Sequence, residues 1–162
     1  HLEYIDSMLD VKEYDFKSMV MECLKRFSPF LIEKKLGLLW KGLDLTVRTD
    51  RRWFIFALTQ IIFNSVEFTA EGGKIAITAK KSGEYVDLII DDSGKGISAE
   101  EMPYVFVAGY MGDDSPNAAG RRTGMGLFIA RSVLNKMGGD VFAESNPGKG
   151  TRVVMRMPTN VE

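Results

Sequence analysis

The sequence has very little cysteine and histidine, and this narrows the chemistry it can carry. Its 162 residues include one cysteine, Cys23, and one histidine, His1. A single cysteine cannot form an internal disulfide or a cysteine-rich metal cluster, and its place between Met21 and Leu24 in a helical pattern predicts a buried thiol. The histidine has no upstream turn to hold it, so we do not expect it to be a catalytic imidazole.

Neither sign of charge dominates the chain. It carries 21 basic and 22 acidic residues, with a net charge of -1 and a pI of about 6.0. There is no basic field to attract nucleic acid, so no nucleic-acid partner is expected.

No apolar run reaches the roughly 20 residues that cross a bilayer, and no signal peptide pattern opens the chain, so we expect this chain to be soluble. An apolar fraction of 45% predicts one domain with a substantial core.

Hydrophobic periodicity predicts alternating helices and strands. The predicted helices are 16–27 (capped by Asp15 and ended at Ser28 and Pro29), a short piece at 30–35, and 51–69 (capped by Asp50). A last helix is predicted to start in the glycine-rich stretch from Thr123 and to end at Gly138 and Gly139. The predicted strands are 36–40 and 44–48 (joined around 41–43), a hairpin at 74–81 and 84–91, and 140–144 with 151–157. Residues 11–14 are predicted to form a turn, and residues 107–122 are predicted to form a mobile loop. This order indicates an α/β fold, a two-layer α/β sandwich with a mixed, largely antiparallel sheet.

The stretch DDSGKGIS, residues 91–98, places an acid and two glycines directly after a strand. Gly94 and Gly96 let the backbone turn and leave room for a flat ring. A buried Asp92 would accept a hydrogen bond from an exocyclic amine, which favours adenine over an oxo-purine. An Asp and Gly after a strand are also typical of an ordinary turn.

Three further features have chemical potential. Asn64 lies on the rim of an apolar helix face, where its amide oxygen suits Mg2+ beside phosphates, although rim amides are often only hydrogen-bonded. Gly124, Met125 and Gly126 begin a helix, whose free N–H groups favour phosphate, and the same pattern is typical of a tight loop-to-helix join. The Thr151 hydroxyl, after the turn GKG, could support Asp92 directly or through water, or belong to an ordinary hairpin turn.

In chain order, the NxxxFT pattern from Asn64, the DxGxGI pattern from Asp92, the loop, GMGL and GKGT resemble the N, G1, G2 and G3 boxes of sensor histidine kinases. The resemblance covers about 15–158 and extends to the wider superfamily of gyrase, heat-shock chaperones and mismatch-repair ATPases. It implies the Bergerat nucleotide fold with a flexible ATP lid, and ATP and Mg2+ as cofactors. It also implies that Asp92 binds the adenine amine, that Asn64 binds Mg2+, and that Thr151 lies near the base.

The resemblance implies a longer set of nucleotide contacts. Phe68 stands where the family usually has Tyr and can still pack on adenine, while Phe106 resembles the aromatic that anchors the lid. The implied nucleotide-binding residues are Asn64, Phe68, Asp92, Gly94, Gly96, Ile97, Arg121, Arg122, Thr123, Gly124, Met125, Gly126, Leu127 and Thr151.

Two positions distinguish the branches of the superfamily. Relatives that hydrolyse ATP have Glu four residues before the metal-binding Asn, and this chain has Gln60, a poor base, which favours phosphoryl transfer over hydrolysis. Gln60 and Asn64 are therefore the catalytic candidates. Histidine kinases commonly have a basic residue or His three positions after the Asn, where this chain has Glu67. Either Glu67 points to solvent while Arg121, Arg122 or Lys95 supplies positive charge, or nucleotide binding is weakened.

The resemblance implies transfer of the ATP γ-phosphoryl to a histidine on a separate dimerisation domain. Residues 1–12 would then end that preceding helical segment and 13–162 would form the catalytic domain. The implied partners are the dimerisation helices of the same protein and a response regulator. The parent would be a dimeric, membrane-anchored sensor with this domain in the cytoplasm. His1 does not match the acceptor motif, so we expect ATP binding without self-phosphorylation.

Two other functions are compatible with the sequence. The first is a degenerate kinase that serves as an interaction module, in which Glu67 would reflect lost catalysis. The second is an ATP hydrolase of the gyrase or chaperone type, which Gln60 disfavours. The stretch TDRRWFIFALTQI also looks similar to Firmicute kinases that sense envelope stress.

Overall fold

The computed structural model describes residues 9–94, 96, 99–100, 102–104, 126–145 and 148–159. The helices are α1 (Phe16–Glu33), α2 (Arg51–Phe68) and α3 (Gly126–Lys136), with a short 3-10 turn at Met102–Tyr104. The strands are β1 (Lys12–Asp15), β2 (Gly37–Lys41), β3 (Thr46–Thr49), β4 (Lys74–Ser82), β5 (Tyr85–Asp92), β6 (Asp140–Ser145) and β7 (Thr151–Pro158). The predicted lid and the start of the chain, residues 1–8, lie outside the described residues.

The main sheet has five strands in the order β2-β4-β5-β7-β6. β2 pairs parallel with β4, and the other neighbours pair antiparallel. Alternate residues of β5, namely Val86, Leu88 and Ile90, join the core that α1, α2 and α3 form on one face of the sheet. The predicted two-layer sandwich with a mixed, largely antiparallel sheet is confirmed.

Helix α1 is longer than the sequence predicts. The Asp15 carboxylate caps it by accepting from the Ser18 amide at 2.7 Å. The predicted end at Ser28 and Pro29 is wrong, because Pro29 lies inside the helix. Proline cannot donate to the carbonyl four residues earlier, and here the Ser28 hydroxyl donates to that Lys25 carbonyl at 3.1 Å. The short helix predicted at 30–35 is therefore the end of α1.

The pairing of the first strands also differs from the prediction. Residues 12–14 of the predicted turn, together with the capping residue Asp15, form β1, which pairs with β3 in a separate two-stranded sheet. The strands predicted at 36–40 and 44–48 correspond to β2 and β3, which lie in different sheets. The chain turns between them at Gly42, whose φ of 76° is left-handed. A side chain at Gly42 would collide with the main-chain oxygen of Ala79 on β4.

Helix α2 and the β4–β5 hairpin agree with their predicted positions. The buried carboxylate of Asp50 caps α2 by accepting from the Arg52 amide at 3.1 Å, and it also accepts from the Asp10 amide at 2.9 Å. β5 ends at Asp92, which stands opposite Thr151 at the start of β7. None of the described helices is long and apolar enough to span a membrane.

Candidate nucleotide-binding site

The carboxylate of Asp92 lies where β5 and β7 meet at one end of the sheet. Its Oδ1 accepts from the main-chain amide of Gly94 at 2.9 Å and from that of Thr151 at 3.3 Å. Because both amides bond the same oxygen, Oδ2 keeps capacity to accept from another donor. The strand end therefore fixes the carboxylate and presents an acceptor.

Burial sets the electrostatics of this carboxylate. Loss of solvent raises the pKa of Asp92, and hydrogen bonds from Gly94, Thr151 and the Ser65 side chain partly offset that rise. The carboxylate is only half-buried. It is held in an environment where its charge costs free energy, and a donating ligand would lower that cost.

Helix α2 contacts the Asp92 turn through its last two turns. The Ser65 side chain is buried and interacts with Asp92. Gly94 packs against the main chain of Phe68, since a Cβ built at Gly94 would lie 2.6 Å from the Phe68 carbonyl oxygen. Asn64 precedes Ser65 on this helix, so the turn that carries Asn64 lies against the strand end that carries Asp92. This juxtaposition supports the predicted pairing of the two residues in one site.

Gln60, Asn64 and Phe68 lie in one row, four residues apart, along α2. All three are half-buried, beside the buried row of Ile61 and Ser65. They therefore border the core and remain partly accessible, as side chains that meet a ligand must be.

The residues fit a Mg2+ ion held jointly with a nucleotide. Over the described ranges, no group of three or more His, Cys, Asp or Glu side chains could hold a metal ion. Mg2+ beside a polyphosphate takes most of its ligands from phosphate oxygens and water and needs only one or two from the protein. The partly accessible amide of Asn64 is suited to that role, and its role as the metal ligand stays a prediction.

The turn before β7 supports Asp92 differently from the prediction. The main-chain amide of Thr151 contacts the carboxylate, whereas its hydroxyl lies 3.2 Å from Ser145 Oγ. Ser145 Oγ also donates to the Gly150 carbonyl at 2.8 Å. Gly150 has a φ of 96°, and a Cβ there would collide with the main-chain oxygen of Asp92. The glycine is required because the two chain segments touch.

A cavity of about 230 Å³ opens at the same strand ends. Asp92, Ser145 and Thr151 line it together with Asp91 and Arg152. The last two form a bidentate pair, with Arg152 Nε 2.7 Å from Asp91 Oδ1. The recess is polar and adjoins the proposed adenine contact.

The predicted phosphate end is described only in part. α3 spans Gly126–Lys136, so its first residue is the last of the three predicted at the helix start, and the helix packs against α2. Leu127 is half-buried against the core, which is a packing role. Gly96 has a left-handed φ of 79°. The predicted residues that lie outside the described residues are Lys95, Ile97, Phe106, Arg121, Arg122, Thr123, Gly124 and Met125.

Sequence reasoning missed the role of Ser65. It lies on the apolar face of α2 and was predicted only as part of that face. Its hydroxyl is the signal that could have revealed it, because a buried polar side chain needs a partner. The Ser65 side chain lowers the pKa of Asp92, which is distant in sequence, so periodicity within one helix could not identify the pair.

Comparison with known proteins identifies the family. The model of the family described as histidine kinase-, DNA gyrase B- and HSP90-like ATPases matches residues 49–161. The chain belongs to this family. The resemblance predicted from the N, G1, G2 and G3 motifs is confirmed.

Sensor proteins are among its relatives. The sensor protein BceS of Halalkalibacterium halodurans is 27% identical over 161 residues, 99% of this chain and 48% of that protein. A methyl sulfide methyltransferase-associated sensor of Methanosarcina acetivorans is 32% identical over 112 residues, 69% of this chain and 11% of that protein. The sensor protein SrrB of Staphylococcus aureus is 35% identical over 101 residues, 62% of this chain and 17% of that protein. The chain spans less than half the length of each of these relatives.

Solved structures agree on the fold. The catalytic domain of histidine kinase ThkA superposes with a TM-score of 0.80 at 23% identity, covering 93% of this chain and 96% of that one. Full-length ShkA in complex with AMPPNP gives 0.80 at 23% identity, covering 95% of this chain and 32% of that one. The fold is that of the ATP-binding catalytic domain of histidine kinases.

Proposed function

We propose that this domain binds ATP with Mg2+ and transfers the γ-phosphoryl group to a histidine on a separate dimerisation domain of the same protein. The observation that carries the proposal is the approach of α2 to the end of β5. It places the turn of Asn64 and Ser65 against the Asp92 carboxylate. A nucleotide in this position would meet an acceptor at its base and an amide at its phosphates.

Each residue has a separate task in this proposal. Asp92 Oδ2 accepts from the adenine amine while Oδ1 stays fixed by Gly94 and Thr151. Phe68 packs its ring on the base. Asn64 holds Mg2+, which when bound neutralises charge on the phosphate oxygens. The residues of the phosphate end, Arg121, Arg122, Thr123, Gly124, Met125 and Gly126, would orient the γ-phosphoryl.

Transfer is favoured over hydrolysis by Gln60. In the reaction, the bond between the γ-phosphorus and its bridging oxygen breaks, a phosphorus–nitrogen bond to the acceptor imidazole forms, and ADP leaves. The imidazole is itself the nucleophile, so no carboxylate is needed to activate water. Gln60, one turn before Asn64, is a neutral amide and a poor general base.

The test is a phosphotransfer assay with the dimerisation helices of the parent protein. Purified helices, this domain and ATP labelled in the γ-phosphate are mixed with Mg2+, and acid-labile label on the helices is measured. The proposal predicts a phosphohistidine. Unlabelled helices, under conditions where another histidine kinase labels its own, would contradict it, and steady phosphate release by the domain alone would favour a hydrolase.

The surroundings of the domain are inferred from its relatives. ThkA has been solved in complex with the response regulator protein TrrA. For this protein we likewise infer a response regulator partner and a dimeric, membrane-anchored parent with the domain in the cytoplasm. The relation to the envelope-stress group of kinases stays a prediction.

Glu67 favours a second candidate, a degenerate kinase that acts as an interaction module. An acid beside a polyphosphate weakens binding unless cations offset it. Titration with ATP and Mg2+ separates the two functions, because a kinase predicts micromolar affinity and a module predicts none up to millimolar nucleotide.

A further inference from the structure

Lys34, the residue directly after α1, reaches across to the C-terminal end of α2. Its Nζ donates to the Val66 carbonyl at 2.7 Å and to the Glu67 carbonyl at 3.3 Å. Lys34 is half-buried and belongs to none of the nucleotide-binding motifs. The contact therefore needs an explanation of its own.

The end of α2 requires such a donor. The last carbonyls of a helix have no partners within the helix and carry the negative end of its dipole. The last turn of α2 has no basic residue, and Glu67 adds an acid there. The ammonium of Lys34 supplies from another element the cation that α2 does not provide itself.

The main chain of Lys34 holds the same junction. Its amide donates to the Phe30 carbonyl at 3.0 Å, and its carbonyl accepts from the Gly72 amide at 2.9 Å. The following residue, Lys35, has a φ of 55° and is the one non-glycine residue in the described part of the chain with a left-handed φ. The end of α1, the end of α2 and the turn after α2 therefore meet at Lys34.

The last turn of α2, to which Lys34 donates, also forms one side of the candidate site. The Phe68 carbonyl, one residue beyond Glu67, packs on Gly94. Asn64 lies one helical turn earlier. Small rotations of the last turn would change the positions of Asn64 and Phe68 relative to Asp92. Misplacement by about 1 Å is enough to weaken a site of this kind.

We propose that Lys34 is a positioning residue of the nucleotide site, because it fixes the last turn of α2 and so holds Asn64 and Phe68 in place relative to Asp92. This inference rests on the proposed binding of ATP. It does not require Lys34 to touch the nucleotide.

The test compares Lys34→Met with Lys35→Met, which removes the same charge from the next residue. Lys35 is exposed and pairs with Glu71 at 3.9 Å. The dissociation constant for ATP with Mg2+ is measured well below the thermal transitions of both variants. We expect about a fivefold weakening for Lys34→Met, since the ammonium and both of its hydrogen bonds to the helix end are lost, and less than twofold for Lys35→Met. Lys34→Arg, which keeps a cationic donor, should restore most of the affinity.

Hydrogen exchange of the 64–69 amides without nucleotide gives a second readout. We expect faster exchange in Lys34→Met than in Lys35→Met. If Lys34→Met does not fold, Lys34→Gln, which keeps a neutral donor, replaces it in both the affinity and the exchange measurements. Equal ATP affinity in the two lysine variants would overturn the positioning role, whatever their thermal stabilities. Failure of the unaltered domain to bind ATP would overturn both the proposed function and this inference. Equal affinities in the two lysine variants would overturn this inference alone, so the two failures can be told apart.

Discussion

At the scale of single residues, Asp92 is a carboxylate held where its charge is costly. Two main-chain amides bond its Oδ1, and the Ser65 side chain supports it from α2. Burial nevertheless raises its pKa. A group kept in this state is typical of a binding site, because a ligand that donates a hydrogen bond offsets the cost of burial.

Replacement of Asp92 by asparagine should separate binding from folding. The amide oxygen can still accept from Gly94 and Thr151, but the amide nitrogen presents a donor to the adenine amine. We expect ATP affinity to fall at least about a hundredfold, as when a polar pair is mismatched, with a melting temperature equal to or above the original. Asp91→Asn is the matched control, because the Asp91 carboxylate is engaged by Arg152 and has no proposed contact with adenine. Equal losses in the two variants would contradict the assignment.

The raised pKa of Asp92 makes nucleotide affinity depend on pH. The ionised carboxylate accepts from adenine, so affinity should be complete above the raised pKa and decline as pH falls through it, at a higher pH than an ordinary carboxyl would cause. Stability without nucleotide should change in the opposite sense. A folded pKa above the unfolded one means that this group destabilises the fold at neutral pH, and that penalty disappears as pH falls through the folded pKa. Titration of ATP across acidic pH, with Asp92→Asn as the stability control, measures both.

The sequence reveals which residues are functional better than which atoms they contact. Asp92 and Asn64 can be recognised from their neighbours in the sequence. Asp92 is an acid followed by glycines, and Asn64 is an amide beside the apolar face of a helix. The amide of Thr151 and the hydroxyl of Ser65 do not, since their contacts with Asp92 arise only when β7 and α2 pack beside β5. The direct contact of Thr151 with Asp92 is made by its amide, and the sequence could not distinguish the amide from the hydroxyl.

At the scale of elements, local sequence patterns predict α2 and the β4–β5 hairpin well. They fail where a distant or unusual contact determines whether an element forms or where it ends. Pro29 would end most helices, but the Ser28 hydroxyl satisfies the carbonyl it leaves without a donor. β1 is short and mostly exposed, so it has no clear alternation, and it forms because β3 offers an edge.

The turn between β6 and β7 should tolerate substitution at one glycine and not at another. Gly148 and Gly150 both have a left-handed φ, but a Cβ at Gly148 meets open space, whereas one at Gly150 collides with the Asp92 main chain. Gly148→Ala should cost about 1–2 kcal/mol from backbone strain alone. Gly150→Ala should cost clearly more and should also weaken ATP binding, because the Asp92 strand end must move. Urea denaturation and ATP titration of both variants check this, and similar unfolding free energies would contradict it.

At the scale of the whole molecule, the described helices α1, α2 and α3 cover one face of the mixed sheet, and the candidate site lies where α2 meets the ends of β5 and β7. The order of elements along the chain was enough to predict the two layers, because each helix must bury its apolar face against a sheet. The parallel pairing of β2 with β4 is not predictable locally, since β3, α2 and their connecting turns separate the two strands in the chain. The contributions of 105–125 to the phosphate end stay predictions.

The central claim is that a strand-end carboxylate and a helix amide hold opposite ends of one nucleotide. Calorimetric titration of ATP, with and without Mg2+, into the unaltered domain, Asn64→Ala and Asp92→Asn tests it most directly. The account predicts that Mg2+ strengthens binding to the unaltered domain, that Asn64→Ala loses this gain while keeping the metal-free affinity, and that Asp92→Asn loses binding in both conditions. A full Mg2+-dependent gain in Asn64→Ala, or unchanged ATP affinity in Asp92→Asn, would contradict it.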